Sequence, residues 1–192
     1  MNMDVFSNEQ QVVPLVDIKK EGLKIGVING LIGLLLMYGS YFMGLDAFIN
    51  QQYLNTFLPY MIIILLITGF QLRKRNGGYL SFKEAIKFTF LSYVVATVMI
   101  AIGTYILFNI IDKDLTQKAF VLGLEKSRAM MERMGASEEE IEKTIGKADS
   151  KNLETGLKTT ILGTGTTLIF AFVKSLLISI IIRKEKPAYS QQ

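Results

Sequence analysis

Four long stretches carry almost no charged side chain: Ile25 to Leu45, Ala47 to Leu72, Phe88 to Ile111, and Thr159 to Ile182, the last interrupted only by Lys174. Each reaches or exceeds the roughly 20 residues a helix needs to cross a bilayer at about 1.5 Å per residue. Lipid offers no hydrogen bonds, so a lipid-exposed segment must satisfy its backbone internally, and apolar runs of this length become helices. The expected fold class is all-α: a polytopic membrane protein with four transmembrane helices and an extracytoplasmic helical hairpin between spans three and four.

Orientation follows from the flanks. Lys and Arg close to span ends are retained on the cytoplasmic side. Lys19, Lys20 and Lys24 precede the first run, Arg73, Lys74, Arg75, Lys83 and Lys87 separate the second from the third, and Arg183, Lys184 and Lys186 follow the fourth. The connection from Gly44 to Asn55 has only Asp46. Both termini are therefore expected in the cytoplasm. The polar start of the chain does not resemble a cleaved secretion signal, so the first span reads as a retained anchor.

The chain divides into a cytoplasmic segment (1–22), three spans (23–111), an extracytoplasmic insertion (112–158), a fourth span (159–183) and a cytoplasmic tail (184–192). The insertion balances nine Lys or Arg against ten Asp or Glu, a charge load that a long loop translocates regardless. Within it Asp114 with Gln117 reads as a helix start and Gly135 as a stop. Ser137 with Glu140 reads as a capping box opening a second helix. Phe120, Gly123, Leu124, Ser127, Met131 and Met134 share a helical face in the first helix, and Ile141 and Ile145 do so in the second. On the cytoplasmic side Asn76, Gly77 and Gly78 end span two, and Ser81 with Glu84 caps span three.

Chemistry is constrained by what is missing. The sequence contains no Cys and no His, which removes thiolate chemistry and the commonest general base and metal ligand. No catalytic constellation, cofactor motif or metal-ligand spacing is evident; Glu138 to Glu140 lacks calcium-loop spacing and reads as a solvated first turn. The net charge of +4 follows the span flanks rather than a basic stripe interleaved with aromatics, so nucleic acid is not an expected partner.

Three features remain as candidate sites. Gly22, Gly26, Gly30 and Gly33 form a groove along one face of span one, suited either to a neighbouring span of the same chain or to a partner helix or homodimer. Lys174 lies in span four, where a central lysine costs about 2.5 to 3.5 kcal/mol. The thirteen Ile, Leu, Phe and Val residues from Ile161 to Ile182 offset this at up to roughly 0.3 to 0.6 kcal/mol each. It either faces the bundle interior to hold an anionic lipid phosphate or carboxylate, or snorkels to the headgroups beside Arg183. Asn29, with Thr159, Thr160, Thr164, Thr166, Thr167, Gly163 and Gly165, adds polarity within spans. Side chains of this kind commonly bond to the preceding turn, and a polar pathway for an ion is the competing reading. Broken helices and mid-depth carboxylates, the usual marks of a transporter, are not evident. In the insertion, Met130, Met131 and Met134 form a soft face for headgroups, a partner or the hairpin itself.

Gly78-Tyr-Leu-Ser-Phe-Lys-Glu-Ala-Ile-Lys-Phe before span three, Met134-Gly-Ala-Ser-Glu-Glu-Glu-Ile141 in the insertion, and a last span ending in Arg183-Lys184 together resemble the DUF4199 family, small integral membrane proteins found mainly in Bacteroidetes. The resemblance covers most of the chain. It implies a bacterial inner-membrane location, no assigned activity and no site residues to carry over, and it points to an envelope glycosyltransferase as a partner. The functional expectation is a non-catalytic scaffold or accessory subunit of a membrane complex, resting in the lipid bilayer and using span one and the outer hairpin as contact faces. The alternative is a small transporter or anionic-lipid-handling protein using Lys174.

Overall fold

The computed structural model describes residues 16–57, 59–146 and 157–186. Seven helices account for nearly all of them: α1 (Ile18–Phe42), α2 (Leu45–Phe57), α3 (Tyr60–Arg75), α4 (Phe82–Ile106), α5 (Leu115–Arg133), α6 (Glu138–Ile145) and α7 (Leu157–Ile182). Most of segment 1–22, residues 147–156 of the insertion and the end of the tail lie outside the described residues.

Among the described residues three helices are long and apolar enough to cross a membrane: Ile18–Phe42, Phe82–Ile111 and Thr160–Ile182. The second of these is α4 prolonged by a π turn, Leu107–Ile111, closed by the Asp112 amide on the Leu107 carbonyl at 2.9 Å.

The expected second span, Ala47 to Leu72, is not one helix. It is split into α2, of 13 residues, and α3, of 16, with Pro59 at the N-cap of α3. Proline has no N–H for the helix ladder and its ring collides with the carbonyl four residues earlier. The run is uncharged but not uniformly apolar either, since Asn50, Gln51, Gln52, Asn55 and Thr56 cluster before the proline. At about 1.5 Å per residue α3 reaches only about 24 Å, so this segment is a broken helix.

Contacts give the helix directions. Down α1, Gly22 meets Phe88 and Leu91, Gly26 meets Ser92 and Val95, Gly30 meets Met99 and Gly33 meets Ile100. The partner numbers rise together, so α1 and α4 are parallel. Helix α7 opposes α4: Ser179 bonds Thr89, while Thr160 and Thr164 share a cleft with Thr104 and Ala101. Helix α3 runs back alongside α1 toward the basic end, with Gly69 against Ile182 and the Arg73 guanidinium donating to the Ile182 carbonyl at 3.2 Å.

At that end the three basic flanks meet, as the charge pattern requires. Arg75 grips Glu21 with two bonds of 2.9 and 2.8 Å, and Leu80 and Lys184 pair in an isolated antiparallel bridge. Ser81 and Glu84 form the expected capping box at the start of α4.

The opposite end is closed by α2, α5 and α6. Met37, Phe48, Ile49, Leu107 and Leu115 form a second core cluster there, and Lys126 ties α5 to Asp46 and Asn50 of α2 at 2.9 and 2.7 Å. Asp114 sits at the N-cap of α5 but makes no side-chain cap bond. Gly135, at φ +81°, ends α5 in the left-handed geometry glycine tolerates. Ser137 and Glu140 then box the start of α6, whose Ile141 is buried.

Candidate functional site

The glycine stripe is closed within the chain. A Cβ on Gly26 would stand 2.7 Å from the Val95 Cβ and 2.9 Å from the Ser92 carbonyl, and one on Gly30 2.7 Å from the Met99 sulfur. The close approach also lets Ser92 Oγ donate to the Gly22 carbonyl at 2.9 Å across the helix pair. Span one therefore offers α4, rather than a partner, the face expected to serve assembly.

Beneath this seam lies a polar interior that only the packing reveals. Thr89, Ser175 and Ser179 are fully buried between α4 and α7; Thr89 Oγ1 lies 3.0 Å from Ser179 Oγ, and both serines bond the preceding turn of α7. Asn29 is also buried, and its backbone carbonyl accepts from the Tyr60 hydroxyl at 3.4 Å. The break before α3 is what brings Tyr60 to this depth. Asn29 Oδ1 and the nearby Tyr93 hydroxyl have no hydrogen-bond partner among the described residues. The threonines of α7 bond backward instead: Thr164 to the Thr160 carbonyl, Thr166 to Leu162 and Thr167 to Gly163, at 2.7, 3.1 and 2.9 Å. The Thr159 side chain lies outside the described residues.

Helix α7 presents the opposite character outward. Its inner face, Ala171, Ser175, Ile178 and Ile182, is buried. Most of the rest of α7 is exposed, and within that broad surface Gly163, Thr167, Phe170, Lys174, Leu177 and Ile181 recur at alternating steps of four and three residues. That 3.5-residue spacing is the repeat by which one helix offers a seam to another. Gly163 has nothing within 4 Å of where a Cβ would stand, so a second backbone is free to approach there.

Lys174 is thus on an outward face, not in the bundle interior that one of its two readings required. Its nine residues of separation from Arg183 amount to roughly 13 Å. Helical side chains lean toward the N-terminus of their helix, and the N-terminus of α7 is the far end. The lysine stem therefore leans away from the basic headgroup layer, which makes snorkelling toward Arg183 work against the local geometry. No carboxylate lies within the spans at its depth, and no ion pair to it is found among the described residues.

On the outer half of α7 the seam borders a cleft of about 340 Å³ lined by Thr97, Ile100, Thr104, Gly163 and Thr167 among others. Among the described residues no three His, Cys, Asp or Glu side chains are grouped to hold a metal ion. In the insertion, Met130 and Met134 are exposed at 64% and 75%, leaving the soft face open.

The model of a family described as a protein of unknown function, DUF4199, matches residues 24–184. No curated protein and no solved structure matches the chain.

Proposed function

The chain belongs to the DUF4199 family, whose description names no activity, and from its geometry we propose a non-catalytic accessory subunit of a bacterial inner-membrane complex that docks a partner span on α7. Both termini lie in the cytoplasm, in keeping with the basic flanks gathered at one end. The observation that carries the reading is the exposed seam from Gly163 to Ile181 with Lys174 at its middle.

Lipid tails are as apolar as leucine, so helices associate in membranes through close packing and polar bonds rather than through a hydrophobic drive. An unpaired lysine facing lipid is costly, whereas one facing a carboxylate on a neighbouring span is compensated. The partner is therefore a different membrane protein with an Asp or Glu at mid-depth. A second copy of this chain would set lysine against lysine and supply no intramembrane carboxylate. An envelope glycosyltransferase is the partner class that the family resemblance favours. The transport or lipid-handling use of Lys174 needs the side chain inside the bundle, and its outward position argues against that use.

Affinity purification in mild detergent tests the reading. Wild-type protein is expected to retain a stoichiometric partner, and Lys174→Leu to lose it while the isolated variant melts at a higher temperature. A Lys174→Leu protein that keeps its partner, or a wild-type protein recovered only as an oligomer of itself with bound lipid, overturns the proposal.

A further inference from the structure

Parallel packing of α1 and α4 has an unusual result at the basic end. Two helix starts stand side by side, and between them opens a cleft of about 420 Å³ walled by Asp17, Ile18 and Lys19 on one side and Ser81, Lys83, Glu84 and Lys87 on the other. The glycine seam holds the helices together from Gly22 and Phe88 onward, so the cleft is the mouth of that pair, at the depth where spans meet headgroups.

Its three lysines outnumber its two acids. Both acids are engaged by the backbone. Asp17 Oδ1 accepts from the Lys19 and Lys20 amides at 2.9 and 3.1 Å. Glu84 Oε2 accepts from the Ser81 amide and hydroxyl at 2.9 and 2.8 Å. Each carboxylate thus offsets the positive end of its own helix. The three lysines do not have that use: Lys19, Lys83 and Lys87 are exposed, and no ion pair to any of them is found among the described residues. Nearby acids are also committed, Glu21 to Arg75 and Glu185 Oε1 to the Phe82 amide at 2.9 Å. The cleft therefore carries three unpaired lysines against two carboxylates that are bonded to their own helix starts.

We propose that this cleft binds a phosphate ester anion, the headgroup of an anionic phospholipid, between Lys19 of α1 and Lys83 and Lys87 of α4. Basic pockets between spans on the cytoplasmic side take such headgroups. Ammonium groups on flexible stems act on phosphate as point charges and need no fixed fork. A lipid is favoured over a soluble phosphate because the cleft lies at the end of two apolar helices, where exposed side chains such as Leu23 give acyl chains a surface to follow.

The test uses the full chain reconstituted in nanodiscs of phosphatidylcholine with or without a minor share of phosphatidylglycerol, read by native mass spectrometry after transfer to neutral detergent. Wild-type protein is expected to retain phosphatidylglycerol selectively. The triple variant Lys19→Gln, Lys83→Gln, Lys87→Gln should lose that retention by a factor on the order of 100, from the roughly 1 kcal/mol that each cation near a membrane surface contributes. Lys19→Arg, Lys83→Arg, Lys87→Arg should keep it, which separates loss of charge from loss of fold. A control triple at the same end, Lys74→Gln, Lys184→Gln, Lys186→Gln, should retain lipid as wild type does. Millimolar inorganic phosphate is a second arm: displacement of the lipid supports the phosphate chemistry and assigns the site to soluble phosphates, and failure to displace assigns it to lipid. Equal loss in both glutamine triples, or retention in the first, overturns the proposal.

Discussion

Asn29 and Tyr93 each bury an oxygen without a hydrogen-bond partner among the described residues, and such a group costs about 1 to 3 kcal/mol. Tyr93→Phe keeps the ring and removes the hydroxyl, so it is expected to raise stability by about 1 kcal/mol, measured as thermal unfolding in detergent; a lower melting temperature would show that the hydroxyl is satisfied. The glycines divide just as sharply. Gly26→Leu drives a side chain into the Ser92 backbone, which cannot give way as a side-chain tip can, and should cost at least the 1 to 3 kcal/mol typical of overpacking. Gly163→Leu meets open space in the isolated chain and should leave its melting temperature unchanged. The same comparison of thermal unfolding checks both, and a reversed order would mean that α1 and α4 are not the pair. The role of Gly22 to Gly33 was legible as packing from spacing alone, but its partner was not, since spacing says that a backbone comes close without saying whose.

Elements were legible in proportion to how local their signals are. The capping boxes at Ser81 with Glu84 and Ser137 with Glu140 lie within four residues, and both formed. The Ser137 amide, and then its hydroxyl, hold the Glu140 carboxyl below the ordinary carboxylate value near 4.5. A depressed folded-state value means that the cap contributes fully above the unfolded value and is lost as pH falls through the lowered one. The protection factors of α6 amides, their exchange relative to the intrinsic rate at each pH, should therefore fall as the solution is acidified below pH about 4.5. Glu140→Gln, which keeps the bond without the titration, should flatten that response. Wild-type protection factors that stay constant across the range would remove the cap from the stability of α6. The split of the second run is not marked by charge, since an uncharged run need not be apolar; Pro59 and the polar residues before it carry the signal. The seam of Thr89 with Ser175 and Ser179 was missed for a different reason: it exists only once α4 and α7 face each other, and neither helix announces the other. Lys174 was conspicuous in the sequence, yet the face it occupies depends on which side of α7 is covered by α4 and α3.

At the scale of the molecule, one end gathers the basic flanks and the other carries the α5–α6 hairpin. Because the sequence has no Cys, single cysteines report sidedness on a clean background. Ser127→Cys is expected to react with a membrane-impermeant maleimide in intact spheroplasts, and Asn76→Cys only after permeabilisation; the opposite pattern would invert the orientation. The pairing of α1 with α4 has a consequence for how the protein is made. Ser92 and Gly22, which bond across the seam, are 70 residues apart in the chain. The first helix enters the bilayer well before its mate has left the ribosome, and its glycine groove stays open to lipid throughout that interval. Biogenesis thus has a built-in waiting period, during which an insertase or a lipid must cover a surface that the finished protein never shows.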